Sequence, residues 1–325
     1  MGEPAGAPLL SVQNLAVYFA QGGGLLGGGA RQLRAVDGVS LDVRAGECVG
    51  LVGESGCGKS TFASAILGLT PPTSGTIAID GIPLRPGAKD RMRLARTVQM
   101  VFQDPYASLN PRRTVGEMLA GPLRLHGVDN ATDVADRTAD MLRRVGRRPE
   151  HAQRYPHEFS GGQRQRIGIA RALILRPKLI VCDEPVSALD VSIRAQIINL
   201  LVELTESLGL ATIMISHDLS VVEHMCDRVA VMYLGRIVES GPWQNIFETP
   251  RHPYTRALMA AIPDPFRPIT GRRAIATGDV PNPLNPPQGC AFHPRCPVVI
   301  EKCRAAPGPV LQQLEPQHAA ACWRA

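Results

Sequence analysis

Gly53-Glu54-Ser55-Gly56-Cys57-Gly58-Lys59-Ser60 is the stretch from which the rest of this chain can be read. It matches the phosphate-loop pattern G-x-x-x-x-G-K-[ST] at every fixed position. A loop that wraps a triphosphate in its own backbone N–H groups needs glycine wherever a side chain would block the approach. A helix starting near Gly58 points its positive end at the same phosphates. Lys59 adds a mobile cation for the β and γ groups, the Ser60 hydroxyl is a magnesium ligand, and Thr61 follows on the same turn. The apolar run Cys48–Val52 before the loop reads as a buried strand. The segment Thr61–Leu69 after it reads as a helix, ended by Pro71-Pro72. A chance glycine-rich turn would have neither flank.

Working outward, Leu179-Ile180-Val181-Cys182-Asp183-Glu184 is an apolar run ending in two carboxylates. Such a strand puts Asp183 at its C-terminal edge, where open α/β sheets bind ligands. Asp183 is placed to hold magnesium and Glu184 to polarise an attacking water as general base. Further strands are expected at Leu10–Phe19, Ala35–Val43, Val98–Phe102, Ala211–Ser216 and Arg228–Tyr233. An amphipathic helix is expected at Ala195–Leu208, and helical sequence runs from Thr114 to about Leu175. Strands alternating with helices predict a largely parallel sheet covered on both faces.

The 325 residues, 44% of them hydrophobic, suffice for one large domain with an appendage. No apolar run approaches the roughly 18 residues a membrane span requires. The first ten residues lack the basic start and apolar block of an export signal, so the chain is expected to stay in the cytosol. The net charge of +6 comes without a basic run interleaved with aromatics, so no nucleic-acid partner is expected. Only Lys59, Lys89, Lys178 and Lys302 among the 35 basic residues are lysine, a bias of composition rather than chemistry.

Phe159-Ser160-Gly161-Gly162-Gln163 reads as a second glycine-bearing helix start. This stretch resembles the signature of ABC ATPases, usually written L-S-G-G-Q, with Phe159 in place of leucine. The resemblance extends over roughly residues 9–262. By it, the fold is a P-loop NTPase of ABC type, a mixed sheet with a helical subdomain at about 104–175. Gln103 is the Q-loop glutamine, a further magnesium contact that faces the membrane partner. Ser187-Ala188-Leu189-Asp190 is the loop that crosses the interface between cassettes, and His217 is the switch histidine at the γ-phosphate. Phe19 is the aromatic that stacks on adenine, with Tyr18 the alternative one residue away. The family pairs two cassettes head to tail, so Ser160, Gly161, Gly162 and Gln163 are expected to cover the nucleotide held by a partner cassette.

Three stretches narrow the resemblance. Gln103 to Arg112 is similar to the segment after the Q-loop in dipeptide and oligopeptide importer ATPases. His252-Pro253-Tyr254-Thr255-Arg256-Ala257-Leu258 resembles the start of that family's C-terminal extension, and Asn285 to Pro297 resembles its cysteine-bearing end. The glycine-rich Gly22–Gly29 and the stretch Ala35–Val39 are closest to the F-type subunit of such importers. The chain therefore divides into a nucleotide-binding domain at 1–250 and an extension at 251–325. The resemblance implies a second ATPase subunit, two transmembrane permeases and an extracytoplasmic solute-binding protein. It places the chain peripherally on the cytoplasmic face of the cell membrane. Importers of nickel, glutathione or another small solute, and soluble ABC ATPases, remain the alternatives.

Seven prolines between Pro263 and Pro287 exclude regular helix and central strand there and predict a linker. Beyond it lies Cys290-x5-Cys296-x6-Cys303-x18-Cys322, half of the chain's eight cysteines. Four thiolates can hold zinc or an iron–sulfur cluster. The tight C-x2-C pairs of zinc ribbons are absent, and resemblance to the peptide-importer ATPases favours a [4Fe-4S] cluster.

Overall fold

A computed structural model describes residues 7–21, 31–85, 87–261 and 278–325. It resolves into two compact units. One comprises Met1–Leu9, Val43–Cys48 and Ile79–Ile215, the other Leu10–Asp42, Val49–Ala78 and Ser216–Ala325.

In the first unit, strands Val98–Val101, Leu179–Asp183 and Ala211–Ile215 run parallel, with Val98 opposite Leu179 and Leu179 opposite Ala211. Leu179–Cys182 and Ala211–Ile215 are buried at every position. Apart from Thr212, these two strands are apolar rather than alternating, as strands of a parallel sheet covered on both faces are. The expected strand at Val98–Phe102 stops at Val101, and Phe102 is 41% exposed. Helices Val115–Leu125, Ala131–Arg144 and Gly161–Leu173 fill the segment read as helical. Their starts are chemically set. The Thr114 hydroxyl accepts from Glu117 N–H and the Glu117 carboxylate from Thr114 N–H, while Asn130 accepts from Thr132 and Asp133. Helix Val191–Leu208 begins four residues before the expected Ala195, directly after Asp190. It ends at Gly209 in the left-handed conformation. The helix Ala88–Thr97 has no counterpart in the sequence reading, because its polar composition carries no apolar stripe.

In the second unit, Arg31–Val43, Leu10–Gln21 and Ser74–Ile79 lie side by side in that order. Elsewhere in the unit Val49–Val52 runs parallel to Arg228–Val231. Strand Arg228–Tyr233 then pairs antiparallel with Arg236–Pro242, and that with His318–Ala320, which in turn pairs with Gln312–Glu315. The sheet is therefore mixed, and the last two strands belong to the cysteine-bearing tail. Its core includes aliphatic residues and Phe62: Val49, Phe62, Ile66 and Val229 through Met232 are fully buried.

The glycine-rich Gly22–Gly29 and residues 262–277 of the proline-rich linker lie outside the described residues. From 278 to 292 the chain forms neither helix nor strand. Among the described residues no helix is long and apolar enough to cross a membrane.

Candidate active site

The phosphate loop lies in the second unit, between strand Cys48–Val52 and helix Lys59–Ile66. Two of its glycines are fixed by backbone neighbours. A Cβ on Gly53 (φ 152°) would lie 2.2 Å from the Met232 carbonyl oxygen, and one on Gly58 (φ 112°) 2.1 Å from that of Ala35. Gly56 (φ 77°) meets nothing within 4 Å, so there only the left-handed conformation selects glycine. Ser55, Gly56 and Ser60 are exposed. Lys59 is nearly buried and turns back on the loop, donating to the carbonyls of Gly53 at 2.7 Å and Glu54 at 3.0 Å. Cys57 packs beneath with its thiol pushed up by burial, so it stays protonated.

Glu54 has every polar group engaged within this unit. Its N–H donates to Tyr254 Oη at 2.8 Å, its carbonyl accepts from Lys59, and its carboxylate accepts two bonds from Arg295 at 2.7 and 2.9 Å. Tyr254 and Arg295 belong to the extension, and the sequence reading assigned neither of them to the loop.

The first unit carries Asp183, Glu184 and Gln103. Asp183 ends its strand, and Glu184 follows in the left-handed region at φ 47°. That conformation costs a non-glycine residue about 1–3 kcal/mol and persists only where the surroundings enforce it. Here Glu184 N–H donates to Ile215 O at 2.9 Å, and the Glu184 carbonyl accepts from Ser187 N–H and Oγ at 3.2 and 3.1 Å. The carboxylate thereby faces Gln103, whose Nε2 donates to Glu184 Oε2 at 3.0 Å. Ser187 through Leu189 is braced by Arg194, donating to the carbonyls of Leu189 at 2.8 Å and Ser187 at 3.3 Å. Spacing alone did not suggest Arg194.

Ser160 starts helix Gly161–Leu173, and its N–H donates to Gln163 Oε1 at 3.2 Å. The two signature glycines differ. A Cβ on Gly162 would lie 2.4 Å from Ile193 Cγ2, so helix packing explains that glycine. A Cβ on Gly161 would make only ordinary contacts, the nearest at 3.6 Å to Leu189. Buried Gln165 on the same helix donates to Phe102 O at 3.3 Å and ties the helix to the stretch holding Gln103.

In the second unit Phe19 is 41% exposed on its strand, whereas the Tyr18 hydroxyl is committed to Asp37 at 2.5 Å. Of the two aromatics, Phe19 offers the free ring. His217 is exposed just past strand Ala211–Ile215.

Cys290, Cys296, Cys303 and Cys322 line one cleft, with His252 and Phe292 among its walls. The expected metal centre is not formed there: among the described residues no three His, Cys, Asp or Glu side chains are arranged to hold a metal ion. Burial pushes the Cys290 thiol up to about 11 and raises Cys296 and Cys322.

Residues 36–187 match the family described as ABC transporter, and residues 238–303 match the oligopeptide/dipeptide transporter C-terminal region. The chain is 50% identical over 302 residues to a di/tripeptide transport ATP-binding protein, DppF, of Pseudomonas aeruginosa, covering 91% of this chain and 92% of that one. It is 52% identical over 320 residues to an oligopeptide transport ATP-binding protein, OppF, of Salmonella typhimurium, covering 97% and 95%. Among solved structures it resembles cbiO1 of Clostridium perfringens, part of an ABC transporter complex, at 30% identity and TM-score 0.64 over 74% of this chain and 91% of that one. It also resembles a dimeric ATP-binding cassette bound to ADP and Pi, at 28% identity and TM-score 0.63 over 72% and 98%.

Proposed function

Since the chain belongs to the ATP-binding proteins of ABC transporters, in the branch with the oligopeptide/dipeptide C-terminal region, we propose that it hydrolyses ATP to power import of di- and oligopeptides. The observation that carries the hydrolytic role is the Gln103–Glu184 hydrogen bond at 3.0 Å, with Glu184 forced into the left-handed backbone region. A general base must be held in reach of its water before the substrate arrives.

The roles follow from chemistry. The N–H groups of Gly56 to Thr61 wrap the phosphates, Lys59 leaves the carbonyls of Gly53 and Glu54 for the β and γ oxygens, and Phe19 takes the adenine. Ser60, Gln103 and Asp183 are the hard oxygen donors that would hold magnesium, which would supply charge neutralisation at the phosphates. Glu184 accepts a proton from the attacking water, and His217 steadies the γ-phosphate.

The signature acts on a partner cassette. Gly161 supports this, because among the described residues nothing requires a glycine there. An N–H-rich helix start without a side chain at that point suits the approach of a phosphate from outside. The partner is a sister ATPase subunit, and the pair sits peripherally against two membrane permeases fed by a solute-binding protein. The finer cofactor reading rests on the four thiols of Cys290, Cys296, Cys303 and Cys322 meeting in one cleft. Brought to suitable geometry and deprotonated, these four thiols would supply the ligands of a [4Fe-4S] cluster, with zinc the alternative. Iron, zinc and acid-labile sulfide assays on anaerobically purified protein decide it.

The deciding experiment for the function is reconstitution with the permeases and binding protein in vesicles. ATP-dependent uptake of labelled di- and oligopeptides supports the reading. Uptake of nickel or glutathione alone would replace it.

A further inference from the structure

The extension is not only an appendage to the sheet. Arg295 reaches from the cysteine-bearing tail to Glu54, across 241 positions, and grips its carboxylate with both terminal nitrogens at 2.7 and 2.9 Å. The Arg295 side chain is only 7% exposed. Its guanidinium lies 5.9 Å from the ring centres of both Tyr233 and Phe292, within cation–π range. Phe292, Tyr233 and Tyr254 pack as one cluster with ring centres 4.6 to 5.4 Å apart. Tyr254 Oη, from that same cluster, takes the Glu54 N–H. The extension thus holds Glu54 by backbone and side chain at once. Glu54 in turn offers its carbonyl to Lys59, the cation of the phosphate loop.

We infer that Arg295 and Tyr254 are positioning residues for the phosphate loop: they fix Glu54, and through it the start of the loop and the resting place of Lys59. This rests on the reading of Gly53–Ser60 as the triphosphate cradle. A fork of two charge-assisted bonds fixes orientation as well as distance, which a lone ammonium cannot do. Loss of the fork loosens the loop where it leaves its strand, and the effect falls on the phosphates rather than on the adenine end.

The test uses the full chain and measures affinity for MgATP by calorimetry and for adenosine by competition. Arg295→Met is expected to weaken MgATP binding about tenfold, leaving adenosine within about twofold. Glu54→Gln is expected to act in the same direction. The double variant is expected to bind no more weakly than Arg295→Met alone, because the two residues act as one unit. Unchanged MgATP affinity in Arg295→Met, equal losses for MgATP and adenosine, or additive losses in the double variant would each overturn the inference. Where Arg295→Met does not fold, Arg295→Lys keeps the charge and loses the fork, and wild-type affinity there overturns it equally. Failure of the wild-type chain to bind MgATP would sink the nucleotide reading itself, a separate result.

Discussion

Glu239 and His318 meet at 2.8 Å with neither side chain exposed to solvent. The same Glu239 carboxylate accepts the N–H groups of Arg251 at 2.7 Å and His252 at 2.9 Å. One buried acid thus joins the sheet, the start of the extension and the tail strand. Replacing it with alanine orphans three buried donors. Glu239→Ala is expected to destabilise the protein by about 3–5 kcal/mol. Glu239→Gln, which keeps one acceptor oxygen, should cost less. Urea denaturation of both variants checks the order, and equal stabilities would contradict the bonding scheme.

Glu184→Gln should retain MgATP binding while hydrolysis falls by at least about a hundredfold, the usual yield of a general base. The pair of cassettes should then persist in the presence of ATP on size-exclusion chromatography. Wild-type phosphate release by this variant would move the base elsewhere.

The two signature glycines should respond differently. Gly162→Ala drives a methyl toward Ile193 and is expected to cost about 1 kcal/mol or more of stability. Gly161→Ala has room, so its melting temperature should stay near wild type while ATP turnover by the assembled pair drops. A Gly161→Ala variant with full turnover would remove the argument that a partner's phosphate approaches there.

Burial lowers His252 to about 4, with Arg256 adding to the effect. Its Nδ1 accepts the Tyr254 N–H at 3.1 Å at the start of the extension's helix. Because the folded value lies below the unfolded one, the contribution is fully present above about pH 6.5 and is lost as pH falls toward 4. The loss should reach about 3 kcal/mol in that window. His252→Asn keeps a capping acceptor and removes the titration, so its stability should vary less between pH 6.5 and 4. Parallel pH profiles for the two proteins would contradict the assignment.

Much of this arrangement was legible in the sequence, for a physical reason. Strands Cys48–Val52 and Arg228–Tyr233 formed over the very residues their patterns predicted, and the predicted Leu179–Cys182 extended by one residue to Asp183. A strand buried on both faces must be apolar throughout, and that signal is local. The phosphate loop was equally plain from its motif, and the structure gives the reason for Gly53 and Gly58: a side chain at either would meet a carbonyl oxygen at about 2 Å. What stayed hidden was long-range or polar. The helix Ala88–Thr97 has no apolar stripe to betray it, and strand His318–Ala320 is too short to stand out. Nothing near Arg295 in sequence announces a carboxylate at position 54. The spacing of the four tail cysteines was read as a metal site; they do line one cleft, but among the described residues no three side chains are arranged around an ion.

Lys59 is parked on the carbonyls of its own loop. An incoming ligand must outcompete two amide oxygens that are already in place, so a weak or singly charged anion gains little by docking. A polyphosphate offers several stronger acceptors at once and draws the ammonium across. On the proposed reading, that competition would favour charge-dense ligands over weak anions.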